Sequence, residues 1–333
     1  MHLGGTYAAV VVFSLAVCAV LILLLRPLLA RYALARPNAR SSHVTPTPQG
    51  GGIAVITATV AVATVTLLVS HRDGIESLAL VFAETAFVAA FGAVDDIRTL
   101  AVLPRLLLQL LAVGAIVWTL PDLRILPLAS PWLERALLLI CGLWFVNLVN
   151  FMDGIDWMVV AEVIPITAAL AVLGLTGVIP PQEAIVAVAL GGAILGFAPF
   201  NRPVAKLFLG DVGSLPIGLL LGWLLALLAA RGHLMAALLL PLYFVADATI
   251  TLLRRIANRE PFWQAHRNHF YQRAVLAGAK IQTVIARVFV VNIGLAALAI
   301  ASAMAAEPLV GWIALAAGVL IVGWLLRWMT GRT

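Results

Sequence analysis

Residues that could carry out chemistry occur in four short clusters, and each cluster lies at the end of a strongly apolar stretch. Their members are Asp95 and Asp96; Asn150, Asp153 and Asp156; Asn201 and Asp211; His266 and His269. Adjacent carboxylates repel each other and raise each other's pKa unless a cation joins them. Oxygen-rich ligand sets suit Mg²⁺ or Mn²⁺ better than Zn²⁺. If the clusters meet in space, they indicate a metal-assisted phosphate site.

Each cluster also has a plainer interpretation when it is taken alone. A single aspartate at a helix end can be an N-cap or a solvated loop residue. Asp153 and Gly154 form a common turn dipeptide. The spacing of His266 and His269 would place both rings on one face of a helix, where Arg267 could join them in binding phosphate. A zinc site at the two histidines is the alternative. Whether the clusters are functional therefore depends on whether they meet in space, and this in turn depends on the helices that position them.

Composition identifies those elements as membrane helices. Of the 333 residues, 63% are hydrophobic and 11% charged, and the mean hydropathy is +1.08. Soluble domains carry about 25% charged residues, and apolar stretches of about 18 residues or more indicate transmembrane helices. The sequence predicts one all-α polytopic domain over residues 1–333, with about 11 spans (10 possible). They are 6–27, 51–70, 76–94, 101–120, 133–149, 159–177, 183–200, 212–230, 234–254, 283–304 and 309–328.

The distribution of positive charge predicts the orientation of these spans. An N-terminus outside the cell places 17 of the 21 basic residues in cytoplasmic stretches, as the positive-inside rule requires. Only Arg72, Arg124, Arg135 and Arg231 remain outside. The net charge of +6 thus reflects topology, and no nucleic-acid partner is expected. With this orientation, all four polar clusters emerge on the cytoplasmic face.

Glycines and one further aspartate leave alternatives open. Gly50–Gly52 begin the second span, and Gly210, Gly213 and Gly218 surround Asp211. Their N–H groups could approach an anion at a helix N-terminus, or the glycines could permit close helix packing. Asp247 lies inside the ninth span, where a carboxylate is costly and by default functional. The alternative is a buried hydrogen bond with Thr249 or Thr251.

Five ordered motifs carry a resemblance to a known family. They read SSHVTPTPQGGG from residue 41, VDD from 94, NLVNFMDGID from 147, NRPVAKLFLGDVGS from 201 and AHRNHFYQR from 265. In order and membrane sidedness they resemble the polyprenyl-phosphate N-acetylhexosamine-1-phosphate transferases. That family includes the phospho-MurNAc-pentapeptide translocase and enzymes that initiate O-antigen and related glycans.

The resemblance implies helices around a cytoplasmic cleft in the inner (plasma) membrane, and a membrane-bound reaction. A UDP-N-acetylhexosamine and undecaprenyl phosphate would give a lipid-linked sugar diphosphate and UMP, with Mg²⁺ (or Mn²⁺) as cofactor. A homodimer is compatible with it. Site residues carried over by motif are Asp95, Asp96, Asp153 and Asp156 as catalytic, Asp211 as metal ligand, and His43, Asn150, Asn201, His266, Arg267 and His269 as substrate-binding.

Departures from the family pattern favour one branch of it. The translocase has three consecutive histidines where this chain has His266 and His269, so the O-antigen-initiating branch is favoured. Trp157 stands where the family usually has glycine, and Gln49 where a basic residue is common.

Two other classes of membrane protein are alternatives, and each would show different sequence features. A secondary transporter would place its site near the membrane midplane between inverted repeats, and an intramembrane prenyltransferase would carry D-x-x-x-D motifs on two helices.

Overall fold

The protein is described here by a computed structural model covering residues 3–35, 46–70, 75–120, 125, 129–261, 266–305 and 307–331. Almost all regular structure in these residues is α-helical, and eight of their helices are long and apolar enough to cross a membrane. The predicted all-α polytopic fold is confirmed. The one sheet within these residues pairs two strands of two residues each, β1 (Leu34–Ala35) and β2 (Thr47–Pro48), in antiparallel register.

Each predicted span coincides with one helix of the structure, except the ninth. The helices are α1 (Leu3–Tyr32), α2 (Gly51–Val69), α3 (Ile75–Ile97), α4 (Val102–Thr119), α5 (Pro131–Met152), α6 (Met158–Leu175), α7 (Pro181–Phe197), α8 (Asp211–Ala230), α9 (Leu234–Leu239), α10 (Leu242–Ala257), α11 (Phe270–Leu276), α12 (Ile281–Met304) and α13 (Pro308–Thr330). Helices α4 and α7 are also apolar, but their apolar stretches Val102–Trp118 and Pro181–Phe197 are shorter than the eight long spans.

The continuous ninth span predicted over 234–254 is wrong, because the chain breaks there between α9 and α10. Pro241 lies at the break and precedes the first residue of α10. Proline has no N–H to continue the helical hydrogen bonds, and its ring clashes with the preceding turn. The break starts a new helix, α10, whose second turn carries Asp247.

Helix α8 lies at the centre of the bundle, packed against α2, α3, α5 and α9. Small residues allow these close crossings, as is usual in membrane proteins. A Cβ at Gly52 would collide with the Gly213 backbone, and one at Gly92 would lie 2.6 Å from the Asp211 carbonyl oxygen. The close-packing interpretation therefore explains these glycines. The close packing of these helices also brings the ends of α3 and α5 against the start of α8.

The start of α2 is joined to the connection that precedes α8 by backbone hydrogen bonds. Gly51 N–H donates to the Phe208 carbonyl at 2.9 Å, and Gly52 N–H to the Leu209 carbonyl at 2.8 Å. Phe208 N–H in turn donates to the Pro48 carbonyl at 2.9 Å. The Gly51 and Gly52 amides are thus occupied by carbonyls, and the anion-binding interpretation does not hold for them.

Candidate active site

Asp96 caps the start of α8 from the neighbouring helix. Gly210, which precedes α8, has a φ of +79° and no side chain to cap the helix. The Asp96 carboxylate takes over this role by accepting hydrogen bonds from Asp211 N–H at 2.9 Å and Val212 N–H at 3.1 Å. A carboxylate is favourable at this position because it faces the positive end of the helix dipole. Gln49 Nε2 donates to the Asp96 backbone carbonyl at 2.6 Å, so the residue found in place of a basic one holds Asp96 in position.

Asp95 points to a different partner, the arginine at the start of α4. Its carboxylate accepts a hydrogen bond from Leu100 N–H at 2.6 Å and lies 3.3 Å from Arg105 Nη1. The same Arg105 nitrogen is 3.9 Å from the Asp211 carboxylate. Arg105 is therefore a cation placed between two acids, and sequence reasoning did not select it. Its position ten residues after Asp95, in the first turn of an otherwise apolar helix, was the signal available.

Asp211 and Asn150 meet where α5 ends and α8 begins. Asn150 Nδ2 lies 2.7 Å from Asp211 Oδ1 and 2.9 Å from Ser214 Oγ. The Asp211 side chain keeps 28% of its surface exposed, whereas that of Asp95 keeps 3%. Asn150 thus orients one oxygen of a carboxylate that remains accessible to a ligand.

Asp153 follows α5 directly and is the least satisfied acid of the cluster. No described residue donates a hydrogen bond to its carboxylate, and the side chain is half-buried. Burial, followed by the nearby charges of Asp211, Asp96 and Asp156, raises the pKa of Asp153 well above its usual range. A carboxylate in this position has unmet demand for positive charge.

Asp156, Trp157 and Asn201 join the segment after α5 to the segment before α8. Asp156 Oδ2 accepts from Ala205 N–H at 2.9 Å, and Asn201 Oδ1 accepts from Trp157 N–H at 2.8 Å. Asn201 Nδ2 donates to the Leu207 carbonyl at 3.0 Å. Both Asp156 and Asn201 are buried and bound to the backbone, so their structural contacts organise the loops. The predicted contact of Asn201 with nucleotide stays a prediction.

Trp157 adopts a backbone conformation that explains why glycine is usual there in the resembling family. Its φ is +64°, in the left-handed region where most side chains are disfavoured. The indole Nε1–H donates to the Ala198 carbonyl at 2.6 Å, which offsets part of this cost. The departure therefore keeps the turn and adds a link to the end of α7.

The two histidines do not share a helix face, contrary to the expectation from their spacing. Helix α11 begins at Phe270 with His269 as its N-cap, and His266 lies in the preceding loop. The rings nevertheless stack with centroids 5.0 Å apart. His269 is buried and its Nδ1 lies 3.1 Å from Asp247 Oδ1, whereas His266 is half-buried. Arg267 lies between them in this loop, also half-buried.

Asp247 anchors this loop and the start of α11 from within α10. Its side chain is fully buried, and it accepts hydrogen bonds from both backbone and side-chain donors. The donors are Phe270 N–H at 3.1 Å, Tyr271 N–H at 3.3 Å, Tyr243 O–H at 3.3 Å and Thr251 O–H at 3.4 Å, in addition to His269. The hydrogen bond with Thr251, left open by the sequence as an alternative, is present, whereas Thr249 accepts one from Trp144 Nε1–H.

Tyr271 connects the histidine loop to the acid cluster. Its hydroxyl donates to the Phe151 carbonyl at 3.2 Å, two residues before Asp153. Burial, with added contributions from Asp247 and Asp153, raises the pKa of Tyr271 well above its usual range, so the phenol stays protonated and remains a donor. The structure thus brings together all four predicted clusters. His43 lies outside the described residues.

The carboxylates of this site can be compared with the ligands that usually hold Mg²⁺ in proteins. Among the described residues, no three Asp, Glu, His or Cys side chains are arranged as ligands of one ion. Mg²⁺, however, is commonly held by one or two carboxylates together with substrate phosphates and water. Asp211 is accessible, and neighbouring Asp153 accepts no hydrogen bond from the described residues, so the two carboxylates provide such a pair of hard oxygen ligands. The residues present therefore fit the ion.

Comparison with known proteins gives matches over much of the chain. The model of glycosyl transferase family 4 matches residues 78–229. A decaprenyl-phosphate N-acetylglucosaminephosphotransferase of Mycolicibacterium smegmatis is 28% identical over 87% of this chain and 79% of its own length. A probable undecaprenyl-phosphate N-acetylglucosaminyl 1-phosphate transferase of Bacillus subtilis is 25% identical over 80% and 78%. A phospho-N-acetylmuramoyl-pentapeptide-transferase of Synechococcus sp. is 38% identical, but over only 41% and 38%.

Proposed function

Since this chain is a member of glycosyl transferase family 4, we propose that it transfers N-acetylhexosamine 1-phosphate from a UDP-sugar to undecaprenyl phosphate. An oxygen of the lipid phosphate attacks the β-phosphorus of the UDP-sugar. The bond from that phosphorus to the oxygen bridging the two phosphates breaks, and UMP leaves. The product is a lipid-linked sugar diphosphate.

One observation carries this proposal: the ends of α3 and α5, the start of α8 and the loop before α11 meet at one end of an apolar bundle. That end holds Asp211, Asp153, Arg105 and the histidine loop. Phosphoryl transfer needs positioning and charge stabilisation more than covalent help from the protein. A water-soluble nucleotide and a lipid phosphate can meet only where the membrane ends, and the polar groups lie at such a boundary.

The contacts divide the residues into two roles. Asp211 and Asp153 would hold Mg²⁺, which when bound neutralises charge on the diphosphate. Arg105, between Asp95 and Asp211, is placed to bind a phosphate oxygen of the acceptor or the donor. Asp95, Asp96, Asp156 and Asn201 are mainly positioning residues, because each already binds backbone groups.

The names of the relatives favour N-acetylglucosamine as the sugar. The two relatives described above that align over most of their length are named for N-acetylglucosamine phosphate transfer. The muramoyl-pentapeptide enzyme aligns over a much shorter part, and this chain lacks three consecutive histidines. We therefore propose UDP-GlcNAc as donor, with initiation of a cell-envelope glycan of O-antigen type as the role. The muramoyl-pentapeptide reaction is the alternative.

We also propose that the site faces the cytoplasm and that the N-terminus lies outside. The support is the distribution of basic residues, of which 17 of 21 belong to stretches on the side of the polar clusters. Reporter fusions after Gly331, together with cysteine labelling of an outer loop at Gly232, test this orientation. Labelling of that loop only after permeabilisation would contradict it.

Product analysis tests the reaction itself. Purified protein in detergent is given undecaprenyl phosphate, Mg²⁺ and one UDP-sugar at a time from a panel of N-acetylhexosamine donors. We expect UMP and a lipid-linked sugar diphosphate with UDP-GlcNAc. Release of UDP would indicate an ordinary glycosyltransferase that attacks the anomeric carbon. A lipid product formed only from the UDP-muramoyl-pentapeptide would select the alternative, and no lipid-dependent product from any donor would reject the proposal.

A further inference from the structure

A groove on the outer surface of the bundle lies between α12 and α13, away from the acid cluster. It has a volume of about 470 Å³, within the range of small-molecule sites. One end is polar, with Gln282, Thr283 and Arg287, and the walls beyond are formed by Val290 and Trp324. Val290 and Trp324 keep 67% and 58% of their surfaces exposed. Nothing in the proposed reaction uses this groove.

Arg287 is the cation of the groove, and aromatic rings hold it. Its guanidinium carbon lies 3.9 Å from the Trp328 ring centre and 5.9 Å from that of Trp324. Such cation–π contacts fix the side chain while leaving its N–H donors available. Within the part of the chain that the structure describes, no carboxylate pairs with Arg287. The sequence explains this, since residues 261–333 contain six basic residues but only one acid, Glu307, which precedes α13 at its opposite end.

The polar end of the groove lies at the membrane boundary that also carries the acid cluster. Helix α13 ends near α10, where Met329 Sδ is 4.0 Å from the Tyr243 hydroxyl. Tyr243 in turn donates to Asp247, which anchors the histidine loop. Val290 lies almost one turn further along α12 than Arg287, towards the apolar interior of the membrane. The groove therefore has a cation at headgroup level and apolar walls below it.

We propose that this groove binds an anionic membrane phospholipid, whose phosphate contacts Arg287, Gln282 and Thr283 and whose acyl chain lies along Val290. Charge complementarity selects this occupant: an unpaired arginine at headgroup level suits a lipid with net negative charge, and a zwitterionic lipid would gain less. A second copy of the chain packed through this same face would have to present an acid of α12 or α13 to Arg287. The nearest acid along α12 and α13 is Glu307, at the wrong end. The proposal does not depend on the proposed reaction.

Native mass spectrometry of the detergent-purified protein tests the site. The probes are phosphatidylglycerol and phosphatidylcholine with identical acyl chains, and the variant is Arg287→Gln. We expect wild type to retain phosphatidylglycerol in preference, and Arg287→Gln to lower its binding constant about fivefold, since one basic residue near an anionic surface contributes about that much. The matched control is Arg327→Gln, which removes an exposed cation in the last turn of the neighbouring helix α13 that does not line the groove.

A second variant keeps the test valid if Arg287→Gln folds poorly. Val290→Trp fills the groove from its exposed wall and leaves Arg287 in place, and it should also reduce phosphatidylglycerol binding. Equal losses in Arg287→Gln and Arg327→Gln would show only general surface charge and would overturn the proposal. So would unchanged binding in both groove variants. Displacement of phosphatidylglycerol by equimolar undecaprenyl phosphate, lost in Arg287→Gln, would assign the groove to the acceptor lipid instead.

Discussion

Asp153 and Asp247 are two acids on either side of Tyr271, and they differ in what surrounds them. Both raise the pKa of that tyrosine, so both lie close to it. Asp247 receives hydrogen bonds from two backbone N–H groups, two hydroxyls and His269. Asp153 receives none from the described residues, and its other close neighbours are further carboxylates.

The difference separates an acid that builds the site from one that is left available to a ligand. A buried charge is tolerated when hydrogen bonds satisfy it, and Asp247 meets this condition within the fold. Asp153 does not, so it ionises readily only when something that the chain does not supply, such as a cation or a substrate group, balances its charge. Asp211 is intermediate, because Asn150 donates to one of its oxygens while its surface stays partly open.

The largest effect is expected for Asp211→Asn. The substitution keeps the shape and an acceptor for Asn150 Nδ2 but removes a metal-binding charge, so turnover should fall about 10³-fold. Thermal unfolding should change little, because the lost helix-dipole contribution is about 0.3–1 kcal/mol. Turnover is measured as UMP release over a range of Mg²⁺ concentrations. Near-normal turnover at ordinary Mg²⁺ would mean that Asp211 does not hold the ion.

Asp153→Asn should lower kcat about 10²-fold without destabilising the fold. The raised pKa of Asp153 means that its ionised form is disfavoured in the folded protein, so a neutral side chain should leave the unfolding temperature unchanged or higher. The two measurements are UMP release at saturating substrates and thermal unfolding in detergent. A clear fall in unfolding temperature would show that Asp153 is a structural acid like Asp247, and the distinction between them would fail.

Asp247→Asn should show the opposite pattern. An amide in place of the carboxylate directs N–H donors at some of the groups that now donate to Asp247, so the protein should lose about 2 kcal/mol of stability. At temperatures well below the transition, kcat should fall much less than in Asp153→Asn. Unfolding measured by circular dichroism and turnover at 10 °C make the comparison. Unchanged stability would contradict the anchoring role.

His266→Ala should raise KM for the nucleotide sugar about fivefold to tenfold, the loss of about one charge-assisted hydrogen bond. The acceptor KM should not change. His269→Ala is the matched comparison, since His269 is buried against Asp247 and its loss should lower the unfolding temperature as well. Identical effects of the two substitutions on KM and on unfolding would show that the loop does not divide into a half-buried binding ring and a buried supporting one.

The sequence was sufficient to predict the helical architecture and the meeting of the polar clusters. Polar residues such as Asp96 and Asp153 mark the ends of apolar runs, and a bundle crossing a membrane must bring alternate ends to the same side. The break at Pro241 was missed because the apolar composition continues across it. Trp157 was noted as a departure from the family's usual glycine, but the left-handed turn that it adopts was not predicted and is seen only in the structure.

The contacts that each polar side chain makes could not be predicted from the sequence. Asp96 caps a helix that begins 115 residues later, and Asp247 anchors one that begins 23 residues later. Arg105 lies between Asp95 and Asp211 because α3 packs against both α4 and α8. Such pairings depend on helix packing at the level of single side chains, and composition or spacing does not determine them.

The smallest effect is expected for Thr251→Val, which probes how well Asp247 is supplied with donors. The Thr251 hydroxyl lies 3.4 Å from Asp247 Oδ1, the longest of the five contacts, and valine has almost the same shape. Four donors remain, so the loss of stability should be about 0.5 kcal/mol, at the lower end for a hydrogen bond, with kcat unchanged. Tyr243→Phe is the matched variant, since it also removes one buried hydroxyl donor, at 3.3 Å. If Thr251→Val alone cost as much as Asp247→Asn, Asp247 would be short of donors like Asp153, and the two acids would differ in location but not in kind.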